Sequence, residues 1–228
     1  MKNRVIGIIK FLVAFGVFYT LSSIIIFIIK QLKFAIVDYQ DLTVISSASE
    51  VILTVIIFNL YRKDFLKDLS FFKDDKVITK IFKYFCLFWF VKIISAMLMA
   101  ALCSLFGYDV SISENQEVVN SFASSAPILM LLTSSITTPI VEEGIFRLGI
   151  GKVIKNKYLF IVVSGLIFGL LHIFPTDLSL PYALITSIPY VSIGMMLAYI
   201  YKKEDNIYHS ILQHGINNFI SMVLFICS

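Results

Sequence analysis

The sequence predicts an all-α protein, a polytopic bundle of about seven transmembrane helices with its N-terminus inside. Three observations predict it. Of 228 residues, 58% are apolar and 15% charged, where a soluble domain carries about a quarter. Apolar runs of the length a bilayer demands, roughly 20 residues, recur along the chain. Basic residues gather in alternate connections between those runs.

The runs can be read in order. Phe11 to Ile29 is uncharged and bracketed by Lys10 and Lys30. It is too long and too firmly bracketed for a cleaved signal peptide, so it is expected to be a retained helix. Leu42 to Tyr61 is interrupted only by Glu50, and Ile81 to Tyr108 contains Lys92. Val118 to Val141 runs uncharged into Glu142-Glu143. Tyr158 to Thr176, Leu178 to Tyr201 and Asn206 to Cys227 complete the set.

Orientation follows from the basic residues. Lys2, Arg4 and Lys10 precede the first run, and Arg62, Lys63, Lys67, Lys73, Lys76, Lys80 and Lys83 follow the second. Lys152, Lys155 and Lys157 follow the fourth, and Lys202 and Lys203 the sixth. The alternate connections hold Asp109, Glu114, Glu117 and Asp177 without a base; Lys30 and Lys33 are the exceptions. The C-terminus is then outside. Residues 62–83 read either as an amphipathic interfacial helix, with Phe65, Leu66, Leu69 and Phe72 among charges, or as a solvated loop. Two regions result: N-terminal helices with this basic connection over 1–110, and the motif-bearing core over 111–228.

The net charge of +4 is too modest to argue for nucleic acid. Cys86, Cys103 and Cys227 lack metal-ligand spacing and read as small apolar fillers.

Ionisable groups inside hydrocarbon are costly, and each is a functional-site hypothesis. Glu50 and Lys92 lie at similar depth, which favours a structural ion pair over a part in chemistry. The stronger group is Glu142-Glu143-Gly144-Ile145-Phe146-Arg147. Glu143 and Arg147 are four apart and can pair on one helix face. Glu142 lies about 100° round the helix, free to act as a general base. Pro139 removes a helix hydrogen bond just before them. Phe168 and His172 are also four apart, between Gly165 and Gly169, which permit close helix approach. His214 and Asn218 repeat the spacing in the last run, presenting an imidazole beside an amide. His209 faces elsewhere, at the entrance of that helix.

These elements converge by arithmetic. If the fourth helix continues to about Ile154 and turns at Lys155-Asn156-Lys157, Glu142 and His172 each lie a little over 20 Å from the turn, at about 1.5 Å per residue. Asn218 lies roughly 18 Å into the last run from the same side. A carboxylate and an imidazole sharing a water can activate it against a carbonyl, while a second imidazole and an amide stabilise the oxyanion. That is peptide or ester hydrolysis. The same atoms of Glu142, His172 and His214 suit a divalent metal such as zinc with an open position, and a metal-free and a metal-assisted mechanism both stand. No His-Glu-x-x-His, Gly-x-Ser-Gly or Gly-x-Gly-Asp occurs, so the site-2, rhomboid and presenilin-type signatures are absent.

The order Glu-Glu-x-x-x-Arg, Phe-x-x-x-His, His-x-x-x-Asn on successive late helices resembles the CAAX-protease and bacteriocin-processing (CPBP, or Abi) family of intramembrane proteases, over roughly residues 125–228. The resemblance implies that Glu142 and His172 activate water, that His214 and Asn218 form the oxyanion site, and that Glu143 and Arg147 support and orient. It implies an endopeptidase in a bacterial plasma membrane, with membrane lipid around it and a membrane-associated protein or peptide precursor as substrate, CAAX-type or like a bacteriocin or pheromone. The family also includes members tied to bacteriocin immunity, so a non-catalytic membrane scaffold or self-immunity protein is the competing expectation.

Overall fold

The computed structural model describes residues 2–32, 36, 38–110, 113–174 and 176–228. Among these the regular elements are all helices. The elements are α1 (Lys2–Gln31), α2 (Tyr39–Leu60), the short α3 (Arg62–Lys67) with a 3-10 turn at Asp68–Lys73, and α4 (Val77–Phe106). Then follow α5 (Glu114–Ser125), α6 (Pro127–Val153), α7 (Lys157–Leu171), α8 (Leu180–Glu204) and α9 (Ile207–Ile226). Lys33, one of the two bases expected on the outer side, lies outside the described residues.

Among the described residues, five helices are long and apolar enough to cross a membrane: Val5–Gln31, α2, α4, α6 and α8. Their outer faces carry exposed Leu12, Phe27, Phe82, Leu105 and Ile128, a surface that water would not tolerate and lipid does. The chain is a multi-pass membrane protein. The remaining two expected spans differ for distinct reasons. Helix α7 is apolar but has 15 residues, about 22 Å, short of a hydrocarbon core of about 30 Å. Its end falls at Leu171 rather than Thr176. Helix α9 has 20 residues, but Gln213, His214, Asn217 and Asn218 dilute its apolar character.

The expected run from Val118 to Val141 is also divided. Ala126, at φ −146° and ψ 71°, breaks it before Pro127, because proline disfavours helical backbone in the residue before it. The segment N-terminal to the break is the separate amphipathic α5. Ser113 caps α5 by accepting from Gln116 N at 3.2 Å, and Ser125 Oγ meets Thr43 Oγ1 of α2 at 2.8 Å.

Residues 62–83 are neither one continuous helix nor an open loop. They form a short helix and a 3-10 turn, and the last part belongs to α4. Phe65 and Phe71 are buried, whereas Leu66, Leu69 and Phe72 face outward. Asp68, in this turn, accepts from Ile207 N at 2.8 Å and so holds the first turn of α9. His209 sits at that entrance as expected, but it is buried against Phe71, with ring centroids 4.8 Å apart.

One apolar cluster joins the two ends of the chain: Leu53 and Ile57 of α2 pack with Val141, Ile145 and Phe146 of α6 and Phe168 of α7. Helices α7 and α8 approach closely. A Cβ added at Gly169 would lie 2.4 Å from Val191 N, and one at Gly165 would lie 2.7 Å from Met195 N. Small residues allow such contact between membrane helices, and here it fixes the depth of His172.

Candidate active site

Helix α6 is not a regular helix. Thr133–Thr137 and Gly144–Gly149 are π-helical, with Glu142 and Glu143 in the short α-helical piece between them. The first widening lies directly before Pro139, whose missing N–H leaves a helix bond unmade. Widened turns of this kind recur at functional sites because they redirect side chains without ending the helix.

The two glutamates take different environments, as their spacing predicts. Glu143 is fully buried and ligated on both oxygens. Arg147 donates from Nε to Glu143 Oε2 at 2.9 Å and from Nη2 to Oε1 at 3.3 Å. The same guanidinium donates to Ser164 Oγ at 2.6 Å, and that hydroxyl donates to Phe146 O at 2.9 Å. Glu142, 8% exposed, has no partner for Oε2. His214 Nε2 stands 3.7 Å from that oxygen, beyond hydrogen-bond range.

Both imidazoles are oriented by what they donate to. His214 Nδ1 lies 3.1 Å from Glu143 Oε1; the carboxylate accepts, so Nδ1 carries hydrogen and Nε2 turns toward Glu142. His172 Nδ1 lies 2.8 Å from the Phe168 carbonyl. A carbonyl only accepts, so Nδ1 again carries hydrogen and Nε2 offers its lone pair. The His172 ring stacks on Tyr190 at 5.2 Å and leans on Phe168 at 4.5 Å. Phe168 also meets His214 edge-on at 5.8 Å. One phenyl ring thus spaces the two histidines.

A cavity of about 670 Å³ collects these groups: Glu142, His172, His214 and Asn218 all line it, with α5 along one side. Asn218 Nδ2 donates to Ser134 O at 2.9 Å, which leaves its second amide hydrogen.

Glu50 and Lys92 require a correction. They also line the cavity, but no ion pair joins them among the described residues. Glu50 Oε2 is buried without a partner. Lys92 Nζ donates instead to Asn217 Oδ1 at 2.8 Å and Ser221 Oγ at 3.1 Å. Equal depth had suggested the pair, but depth does not fix the direction a side chain takes around its helix. Ser164, Tyr190 and Asn217 are further site neighbours that the sequence did not single out; a serine 17 residues from its arginine has no local signature.

The metal alternative can be weighed on donor geometry. Among the described residues no group of three or more His, Cys, Asp or Glu side chains is disposed to hold an ion. The donors of Glu142, His172 and His214 do not fit one as they stand, and no step below is routed through a metal.

Fold and site thus define a class: a helical membrane protein with a carboxylate–imidazole cavity among its late helices. Residues 124–220 match the family model described as "Type II CAAX prenyl endopeptidase Rce1-like", which bears out the resemblance to the CPBP family. At the family level this is an intramembrane protease match. The chain is 28% identical over 178 residues to the UPF0177 protein YvdC of Lactococcus lactis, an alignment covering 75% of this chain and 66% of that protein. It is 34% identical over 103 residues to an uncharacterized protein of Mycoplasma capricolum, covering 44% of this chain and 29% of that one. The chain thus spans just under two thirds of the first relative and less than a third of the second. No solved structure matches.

Proposed function

We propose that this protein is a bacterial intramembrane endopeptidase. It hydrolyses a peptide bond in a membrane-associated protein or peptide precursor, either CAAX-type or like a bacteriocin or pheromone. The observation that carries the reading is the unpartnered Glu142 Oε2, buried and facing the cavity that His172 also lines. A buried carboxylate oxygen without a donor is costly, and a water or substrate group in the cavity meets that need.

Glu142 and His172 Nε2 take the proton of a water that attacks the scissile carbonyl, and return it to the leaving amine. Negative charge develops on the former carbonyl oxygen. The His214 ring edge and the second amide hydrogen of Asn218 stabilise it. Glu143 holds His214 through Nδ1, and Arg147 holds Glu143. Every group in the scheme is a side chain of this protein.

The test is cleavage of membrane-anchored peptides by protein purified in detergent. Replacing His172 by Ala removes half of the proton-transfer apparatus, and the rate is expected to fall by about 100-fold with the protein still folded. Activity is expected to survive exhaustive chelation; loss on chelation and recovery with zinc would replace the side-chain mechanism with a metal-assisted one. A His172→Ala variant that processes its precursor normally would favour the membrane-scaffold or self-immunity role instead.

A further inference from the structure

Helix α4 brings a cation to the cavity, and its hydrogen bonds have a direction. Lys92, near the middle of α4, donates to Asn217 Oδ1 at 2.8 Å. Asn217 Nδ2 donates to Asn218 Oδ1 at 3.0 Å. Asn218 Nδ2 donates to the Ser134 carbonyl at 2.9 Å. The chain ends at each side on a group with a single role: an ammonium has only donors, a backbone carbonyl only accepts.

That fixes both amides. An asparagine side chain is nearly symmetric in shape, and its hydrogen-bond partners alone decide which end is oxygen. With Lys92 at one terminus, Asn217 must present oxygen to α4 and its NH2 to Asn218. Asn218 must then present its NH2 toward Ser134. The positive charge also polarises each amide in turn, which strengthens the next donor. The reversed chain would place two donors, or two acceptors, face to face at both ends.

We propose that Lys92 is a positioning residue for the hydrolytic reaction. Through Asn217 it sets the direction of the amide chain, so that Asn218 offers N–H rather than C=O to the reacting carbonyl oxygen. This rests on the hydrolase reading above. Without Lys92 the chain loses its anchor, and for part of the time Asn218 turns its oxygen toward the developing negative charge.

A plain mechanical tie between α4 and α9 predicts something different, and Asn217→Asp separates the two. A carboxylate at 217 keeps, and strengthens, the bond from Lys92, yet it cannot donate to Asn218. Removing one oxyanion donor typically costs about 100–1000-fold in kcat. Partial misorientation is expected to lower kcat by at least about tenfold in both Lys92→Met and Asn217→Asp, with KM nearly unchanged. Lys92→Arg, which keeps the donor, is expected to recover most of the loss. Thermal unfolding of Asn217→Asp in detergent is expected to match the wild type. Normal kcat in Asn217→Asp would overturn the proposal and leave only the tie.

The side-chain amide NMR signal of Asn218 reads the same point without catalysis. One of its two hydrogens is expected to be protected from exchange in the wild type and unprotected in Lys92→Met. Equal protection in both would overturn the proposal, whatever the activity. Failure of the hydrolase reading appears elsewhere, as absence of cleavage by the wild type with the amide protection intact.

Discussion

Replacing Glu142 by Gln is expected to reduce peptide cleavage by about 100- to 10,000-fold, the usual contribution of a positioned general base, without weakening the fold. The two halves of that expectation come from the same atom. Glu142 Oε2 accepts no hydrogen bond and stands 3.7 Å from His214 Nε2, so the isosteric amide breaks no contact. What it loses is the ability to take a proton. The adjacent Glu143 is the control: it has the same side chain, but both its oxygens are engaged by Arg147. Cleavage within a few-fold of wild type by a well-folded Glu142→Gln protein would remove the carboxylate from the mechanism.

The second large effect is on stability. Arg147→Met is expected to cost about 3–5 kcal/mol, the penalty for leaving one member of a buried ion pair uncompensated. Glu143 and Arg147 are both fully buried, Arg147 inside the second widened turn of α6 and Glu143 just before it, and the guanidinium also holds Ser164 of α7. Its loss therefore strands a carboxylate and uncouples two helices. Replacing both partners by neutral residues of similar size, Glu143→Gln with Arg147→Met, is expected to restore part of the loss, since removing both charges is far cheaper than removing one. Chemical denaturation in mild detergent checks both variants. An Arg147→Met protein as stable as wild type would mean that the pair carries no structural weight. The double variant is expected to stay catalytically poor in either case, because His214 then has no carboxylate at Nδ1.

These residues show what the sequence made legible. Spacings of four residues are local geometry, and they gave the Glu143–Arg147 pair, the Phe168–His172 contact and the proximity of His214 to Asn218 without tertiary information. Depth along a helix is arithmetic, and it brought Glu142, His172 and His214 to one level. Direction around a helix is not arithmetic. The expected Glu50–Lys92 pair failed on that point, since Lys92 turns toward Asn217 and Ser221 on α9. The widened turns of α6 were also hidden, because Pro139 announces a disturbed helix but not which form it takes. Pro127 could have divided α5 from α6 on sequence alone. The uncharged run on both sides masked it, and polar Ser, Asn and Gln residues in α5 were the neglected signal.

In the proposed reaction water, activated by Glu142 in this cavity, attacks a peptide carbonyl. Single-turnover cleavage in heavy-oxygen water, with the fragments weighed by mass spectrometry, addresses it most directly. One heavy oxygen is expected in the new carboxyl group of the wild-type product, and no product is expected from Glu142→Gln over the same interval. A first-turnover product without label, or equal yield from the two proteins, would contradict it.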